Sequence, residues 1–197
     1  MIEVYSQNLD GVWFGIGCSS SQIHASSFGI TQQQTLRNLL TIMPYNTPFQ
    51  IFHHPSSFAK TALASLKEIY QGRNVDAGFS LAYSRLSPYT QKVLKATAKI
   101  PLGYVTSYGL LAKSIGGGAR AVGNVMASNP FAPIVPCHRV VKSDCGLGGY
   151  GLGGLKIKAE LLNREKRGFA EAMDVRVNSH SLQVFPVEHV LSGLASV

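Results

Sequence analysis

The segment Pro136-Cys137-His138-Arg139-Val140 sets a thiol between a rigid proline and an imidazole, with a guanidinium one residue further on. Those residue types leave four roles open to Cys137: a small buried hydrophobe, a metal ligand, half of a disulfide, or a nucleophile. Only a thiolate is a good nucleophile, and an ordinary thiol is about 3% ionised at neutral pH. Lowering its pKa by about two units would make about three quarters of it thiolate. His138 and Arg139 could supply that positive potential, or His138 could take the proton through a water, while Pro136 could fix the turn that presents the sulfur. Adjacency alone proves no contact, because neighbouring side chains on a strand point to opposite faces. A generic Cys-His pair more often serves a core than a reaction.

A second candidate lies just downstream. Gly146-Leu147-Gly148-Gly149-Tyr150-Gly151 has the G-x-G-x-x-G spacing of a dinucleotide fold, with a helical stretch after it. The segment before it reads as helical rather than βαβ, and too little chain follows to complete even a mononucleotide half. A flexible glycine loop closing over a pocket is the better reading.

Charge points to a partner. The net charge of +8 is unevenly spread: four basic against four acidic residues in 1–84, thirteen against three in 85–170, one against three in 171–197. A basic segment beside neutral neighbours is the footprint of a polyanion-binding module, although a merely solvated basic face has the same composition. The three cysteines, Cys18, Cys137 and Cys145, are too few and too odd for a secreted disulfide scaffold. With no run of about 18 apolar residues and no basic-then-apolar start after Met1, an intracellular globular protein is expected.

These residues need elements to hold them. Ile2 to Tyr5, Val12 to Cys18 and Ile23 to Phe28 read as short antiparallel strands. Thr31 with Gln34 fits a capping box ahead of a helix that carries Leu36, Leu39, Leu40 and Met43 and stops at Pro44. A second helix runs from about Ser57 to Gly72. Ser87-Pro88 opens a new one in the N-cap and first helical positions, and a domain boundary is expected near residue 85. Beyond it, Tyr104-Val105-Thr106 is extended and Ser107 caps a short helix through Ile115. Gly116-Gly117-Gly118 then breaks the chain before a helix from Ala119 to Ser128. Two short helices joined by a glycine turn inside the basic segment describe a helix-turn-helix. Val140-Val141 reads as a short strand, Leu155 to Arg167 as helix, and 171–197 as a terminal extension, hairpin or loose tail.

The local word around the cysteine, "IVPCHRVV" at 134–141, resembles the active-site signature of the O6-alkylguanine-DNA alkyltransferases. The resemblance continues through "GYVTSYGLLA", "ARAVGNVMASNP" and "GYGLGGLKIKAELLNRE". It covers residues 88–167 well and the first segment only in layout. It implies an α+β chain: an N-terminal ribonuclease-H-like antiparallel sheet with helices over 1–84, then a mostly helical, winged-helix-like domain with the helix-turn-helix over 85–170.

Roles follow from the resemblance position by position. Cys137 matches the nucleophile that keeps the alkyl group of guanine O6 as a thioether, which consumes the protein in one turnover. His138 matches the water-mediated base and Glu165 the acid that orients it. Tyr108 matches the donor that stabilises departing guanine, and Asn129 the brace of the active-site turn. Arg120 matches the arginine that fills the space left by a flipped nucleotide. Its helix matches a recognition helix in the minor groove, where small Ala119, Ala121, Gly123 and Ala127 would allow close approach. Val140 matches the carbonyl that accepts from the guanine amino group, and Gly148, Tyr150 and Gly151 belong to the loop closing the alkyl pocket. Arg139 is expected to pair within the protein.

Two departures stand out. Many relatives read Tyr-Ser-Gly-Gly in that loop, whereas Tyr150-Gly151-Leu152-Gly153-Gly154 adds a residue and lacks the serine. Some relatives also hold a structural zinc through two cysteines and two histidines. Here Cys18 and His24 have no early second cysteine beside them, His53 and His54 are spare, and no metal or cofactor is expected. The expected partner is duplex DNA containing O6-alkylguanine, with O4-alkylthymine a further candidate, bound by a monomer in the cytoplasm, at the nucleoid in a prokaryote. A non-catalytic lesion sensor on the same scaffold is the alternative. The intact Cys137, His138 and Glu165 disfavour it, and a cysteine hydrolase lacks an oxyanion-hole motif.

Overall fold

The computed structural model describes residues 1–43, 46–75 and 78–194. Pro44, the expected stop of the first helix, and the last three residues of the tail lie outside the described residues. The chain divides into two compact units, Met1–Leu86 with Pro130–Ile134, and Ser87–Asn129 with Val135–Val197.

The first unit is a five-stranded sheet with two helices. β1 (Ile2–Leu9), β2 (Val12–Cys18) and β3 (Gln22–Gly29) form an antiparallel meander. Asp10 and Gly11, both at positive φ (54° and 83°), make the two-residue turn between β1 and β2 that right-twisted strands favour. Then come α1 (Gln32–Ile42), β4 (Phe49–Ile51), α2 (Ser57–Tyr70) and β5 (Ser80–Leu81). The sheet order is β4-β1-β2-β3-β5, and both edge strands run parallel to their neighbours. The antiparallel expectation therefore holds for the centre and not for the edges. Those strands are three and two residues long and β4 is exposed throughout, so no alternating pattern marks them in the sequence. Thr31 caps α1 by accepting from the Gln34 N–H, but Gln34 Oε1 reaches back to Ile30 N rather than to the cap residue. Val4, Phe14, Ile16, Ile23, Leu39, Leu63 and Leu66 fill this unit's core.

The second unit holds α3 (Pro88–Thr97), β6 (Tyr104–Ser107), α4 (Tyr108–Ile115), α5 (Ala119–Ala127), β7 (Val140–Val141), α6 (Gly154–Arg164), β8 (Met173–Val177), β9 (His180–Pro186) and α7 (Val187–Leu194). Ser87 caps α3 with Pro88 in the first turn, and the glycine turn between α4 and α5 has Gly116 and Gly117 at positive φ, as a helix-turn-helix requires. The segment after residue 170 is no loose tail. β8 and β9 form a hairpin, β9 pairs antiparallel with β6, and the sheet order is β7-β6-β9-β8. Val187 and Val190 of α7 then bury against Val105, Val141, Leu147 and Leu162. The mostly helical expectation for this unit thus understated its sheet, because β9 draws its partner from 80 residues away in sequence, Val105 pairing with Phe185. Among the described residues no helix is long and apolar enough to cross a membrane.

Candidate active site

Every candidate site residue belongs to the second unit. Cys137 starts a single 3-10 turn, Cys137–Arg139, that leads into β7. The turn is tied down locally: Cys137 N–H donates to Val135 O at 2.8 Å, Arg139 N–H to Pro136 O at 2.9 Å, and Asn129 Nδ2 to Val135 O at 2.8 Å. This turn, rather than a strand, lets consecutive side chains do related work. β7 lies parallel to β6, with Thr106 opposite Val140 and Ser107 opposite Val141. Ser107 ends β6 and accepts from Leu110 N–H at 3.1 Å, so it caps α4, whose first residue is Tyr108.

Behind the turn, His138 and Glu165 are both fully buried and His138 Nε2 meets Glu165 Oε1 at 2.7 Å. Arg139 grips the same carboxylate twice, Nε to Oε2 at 2.9 Å and Nη2 to Oε1 at 3.0 Å, and its Nη1 donates to Ile100 O at 2.7 Å. Arg139 is therefore spent within the protein, as its expected role has it. Burial pushes the Glu165 carboxyl up, but His138 and the bidentate Arg139 outweigh it and hold the group at about 2. Burial likewise keeps the His138 imidazole below its usual range against the pull of Glu165. Its other nitrogen, Nδ1, is buried with no protein hydrogen-bond partner among the described residues. At rest the site thus holds a neutral imidazole with one nitrogen free to accept a proton and a fixed carboxylate behind it to stabilise the imidazolium.

The Cys137 thiol itself is pushed up by burial, while Asn129, the Lys158 ammonium and the N–H groups of Cys137 and His138 pull it down. A thiol that is protonated at rest needs a base at the moment of reaction, and the adjacent His138 carries a buried ring nitrogen able to accept a proton.

In front of Cys137 opens a cavity of about 660 Å³. It brings together Cys137, Tyr108, Arg120 and the small residues Ala119, Gly123 and Ala127 of α5. The loop residues Gly148, Tyr150 and Gly151 form its other wall. Ala121, Asn129, Val140, His138 and Glu165 are not part of this lining. Gly148 has φ 70°, and a Cβ there would meet Tyr108 Oη at 2.9 Å, so the loop backbone lies directly on the tyrosine hydroxyl. Tyr150 turns its ring edge-on to His138, 6.4 Å between centroids.

Sequence reasoning missed Met126, Lys142, Gly149 and Lys158. The first three line the cavity. Lys158 is completely buried; its Nζ donates to Val140 O at 2.6 Å and to Gly149 O at 3.3 Å and lies 5.9 Å from the Tyr108 ring centroid. The Val140 carbonyl, expected to receive the guanine amino group, is therefore already engaged by an ammonium. One signal could have found this lysine: it shares the buried stripe of α6 with Leu161 and Leu162, three and four residues on, and lies seven residues ahead of Glu165, which caps that helix.

All three cysteines are free thiols, Cys145 exposed and Cys18 buried in β2, where burial pushes its thiol up to about 12.

Residues 88–167 match the family model described as "6-O-methylguanine DNA methyltransferase, DNA binding domain". The methylated-DNA--protein-cysteine methyltransferase of Mycolicibacterium paratuberculosis is 40% identical over 116 residues, 58% of this chain and 68% of that protein. Three other curated relatives of that name are spanned over 44% to 63% of their own length. The crystal structure of the O6-methylguanine-DNA methyltransferase of Pyrococcus kodakaraensis superposes with a TM-score of 0.66 at 27% identity, covering 84% of this chain and 99% of that one. The structure of Mycobacterium tuberculosis OGT in complex with DNA gives a TM-score of 0.65 at 28% identity, covering 83% and 92%. With fold, matched segment and relatives in agreement, the chain belongs to the 6-O-methylguanine DNA methyltransferase family.

Proposed function

We propose that this protein repairs DNA by moving the alkyl group of O6-alkylguanine in a duplex onto Cys137, once per molecule. The observation that carries this reading is the single cavity shared by Cys137, Tyr108 and Arg120, with the residue after the thiol, His138, bonded to Glu165. The bond from guanine O6 to the alkyl carbon breaks as a bond from that carbon to Cys137 Sγ forms. The thiol proton passes through a water to His138 Nδ1, and the resulting imidazolium is balanced by Glu165. Negative charge develops on the departing guanine, and the Tyr108 hydroxyl, whose own proton burial and the neighbouring Cys137 hold tightly, donates to the base where that charge collects. A thioether has no leaving group that water can displace, so the protein is spent.

The reacting oxygen is inaccessible inside a stacked duplex, and the nucleotide must rotate out at a cost of a few kcal/mol. Arg120, which lines the cavity, fills the gap, and the small side chains of α5 let the helix backbone approach the minor groove. Such a protein acts as a monomer on damaged duplex in the compartment that holds the chromosome. The relatives' names and the DNA complex of one structural neighbour support the reading.

The test is intact mass. Incubation with a duplex carrying O6-methylguanine should add one methylene per protein, on the peptide bearing residue 137. Tight binding with unchanged mass would instead make the protein a lesion sensor.

A further inference from the structure

The proposed reaction leaves Lys158 without a task. A buried ammonium is costly unless something matches its charge, and two carbonyl dipoles and the face of Tyr108 are not a counter-ion. Its acceptor Val140 directly follows the turn that carries Cys137 and His138, its second acceptor Gly149 shares the cavity lining with Cys137, and its Nζ lies 5.9 Å from the ring of Tyr108 on α4; Glu165 and Arg139 pair on the far side of the His138 bond. Lys142 is a second cation at the cavity. Glu165 is already held by His138 and Arg139, Glu160 on the same helix pairs with Arg164 at the surface, and Asp144 is exposed and accepts from Gly146 N–H. The anion left to form beside Lys158 is the thiolate of Cys137.

We propose that Lys158 is a positioning residue for the transfer: its ammonium is the counter-charge of the Cys137 thiolate, and its bonds to Val140 and Gly149 clamp the glycine loop to β7 over that sulfur. The proposal rests on the reading of Cys137 as alkyl acceptor. Burial lowers Lys158 to about 8 and the Cys137 anion pulls it back up, so the two charges support each other. The ammonium is present below that pH and lost above it. The clamp also holds the glycine loop on Tyr108: Lys158 fixes Gly149, the neighbour of Gly148.

The experiment compares full-length wild type with Lys158→Met, following the rate of Cys137 modification against pH. Two reagents are used: iodoacetamide, read on the peptide bearing residue 137 because Cys145 is exposed, and free O6-benzylguanine. The pH midpoint in the variant should move up by about one unit or more with both reagents, and the rate at pH 7 should fall about tenfold. Lys158→Ala should show the same shift, and added ethylammonium should restore the wild-type midpoint. A rate loss equal at every pH, or an unmoved midpoint, overturns the proposal and leaves Lys158 a packing residue. Should Lys158→Met not fold, the midpoint of Lys158→Ala with and without the amine decides alone. A wild type that reacts with iodoacetamide yet takes no methyl group from O6-methylguanine duplex defeats the proposed function instead, and the iodoacetamide midpoint still judges Lys158.

Discussion

Glu165 does two jobs with one carboxylate, and its charge is the larger part of both. It receives His138 and a bidentate Arg139 in a fully buried site, so its pKa sits at about 2, against about 4.3 in an unfolded chain. A depressed carboxylate stabilises the fold above its unfolded pKa, and that stability is lost as pH falls from about 5 to about 2, a contribution of about 3 kcal/mol. Glu165→Gln keeps the shape and removes the charge. It should lower the unfolding free energy at pH 7 by about 3 kcal/mol, because a buried imidazole and a part-buried guanidinium lose their charged partner, and should flatten the loss of stability between about pH 5 and pH 2. Urea titrations at both pH values measure this, and an undiminished acid loss in the variant would contradict it. Cys137 and His138 were legible in the sequence as a local word, and Glu165 through its family motif. Lys158 was not, because a lysine in "LKIKAE" reads as a solvated face until its seven-residue register with Glu165 is noticed.

Elements place these groups, and the caps are where the sequence spoke most plainly. Thr31, Ser87 and Ser107 each put a hydroxyl three residues ahead of the N–H that it receives, and each opens a helix where expected. Ser107 matters most, because the residue after it is Tyr108. Ser107→Ala should cost about 1 kcal/mol of stability and slow alkyl transfer several-fold by loosening the first turn of α4. Denaturant midpoints together with transfer rates check it; a full stability loss with an unchanged transfer rate would mean that Tyr108 is held by the Gly148 contact instead. What stayed hidden was non-local. β9 is a strand because β6 offers it an edge, with Thr106 Oγ1 donating to Gln183 O across 77 residues. α7 follows from its docking on Val105, Val141 and Leu162, since eight residues make a marginal helix alone.

Across the whole molecule, charge is divided as the chain is. The second unit carries thirteen basic against six acidic residues and the first five against four. Arg139 and Lys158 are consumed inside the site and Arg164 pairs with Glu160, so under the proposed function phosphate would be met by other cations of the second unit. With about five phosphate contacts, affinity for undamaged duplex should fall about 10²- to 10³-fold between 50 and 200 mM salt. Arg120 is the residue for which that field and the chemistry make opposite demands. A phosphate-contacting arginine contributes to the salt slope and weakens all duplexes alike when removed, by about one unit of slope. An arginine that occupies the place of an extruded nucleotide contributes to repair of duplex DNA and little to a free base that has no stack to leave. Its place on the cavity wall, one residue after the small Ala119 at the start of α5 and in the same lining as Cys137, favours the second role. Arg120→Ala should therefore leave the salt slope on undamaged duplex nearly unchanged. Transfer from O6-methylguanine in duplex should slow by about two orders of magnitude, with transfer from free O6-benzylguanine staying within a few-fold of wild type. Equal losses on duplex and free base, or a slope reduced by a full unit, would return Arg120 to the ranks of the phosphate contacts.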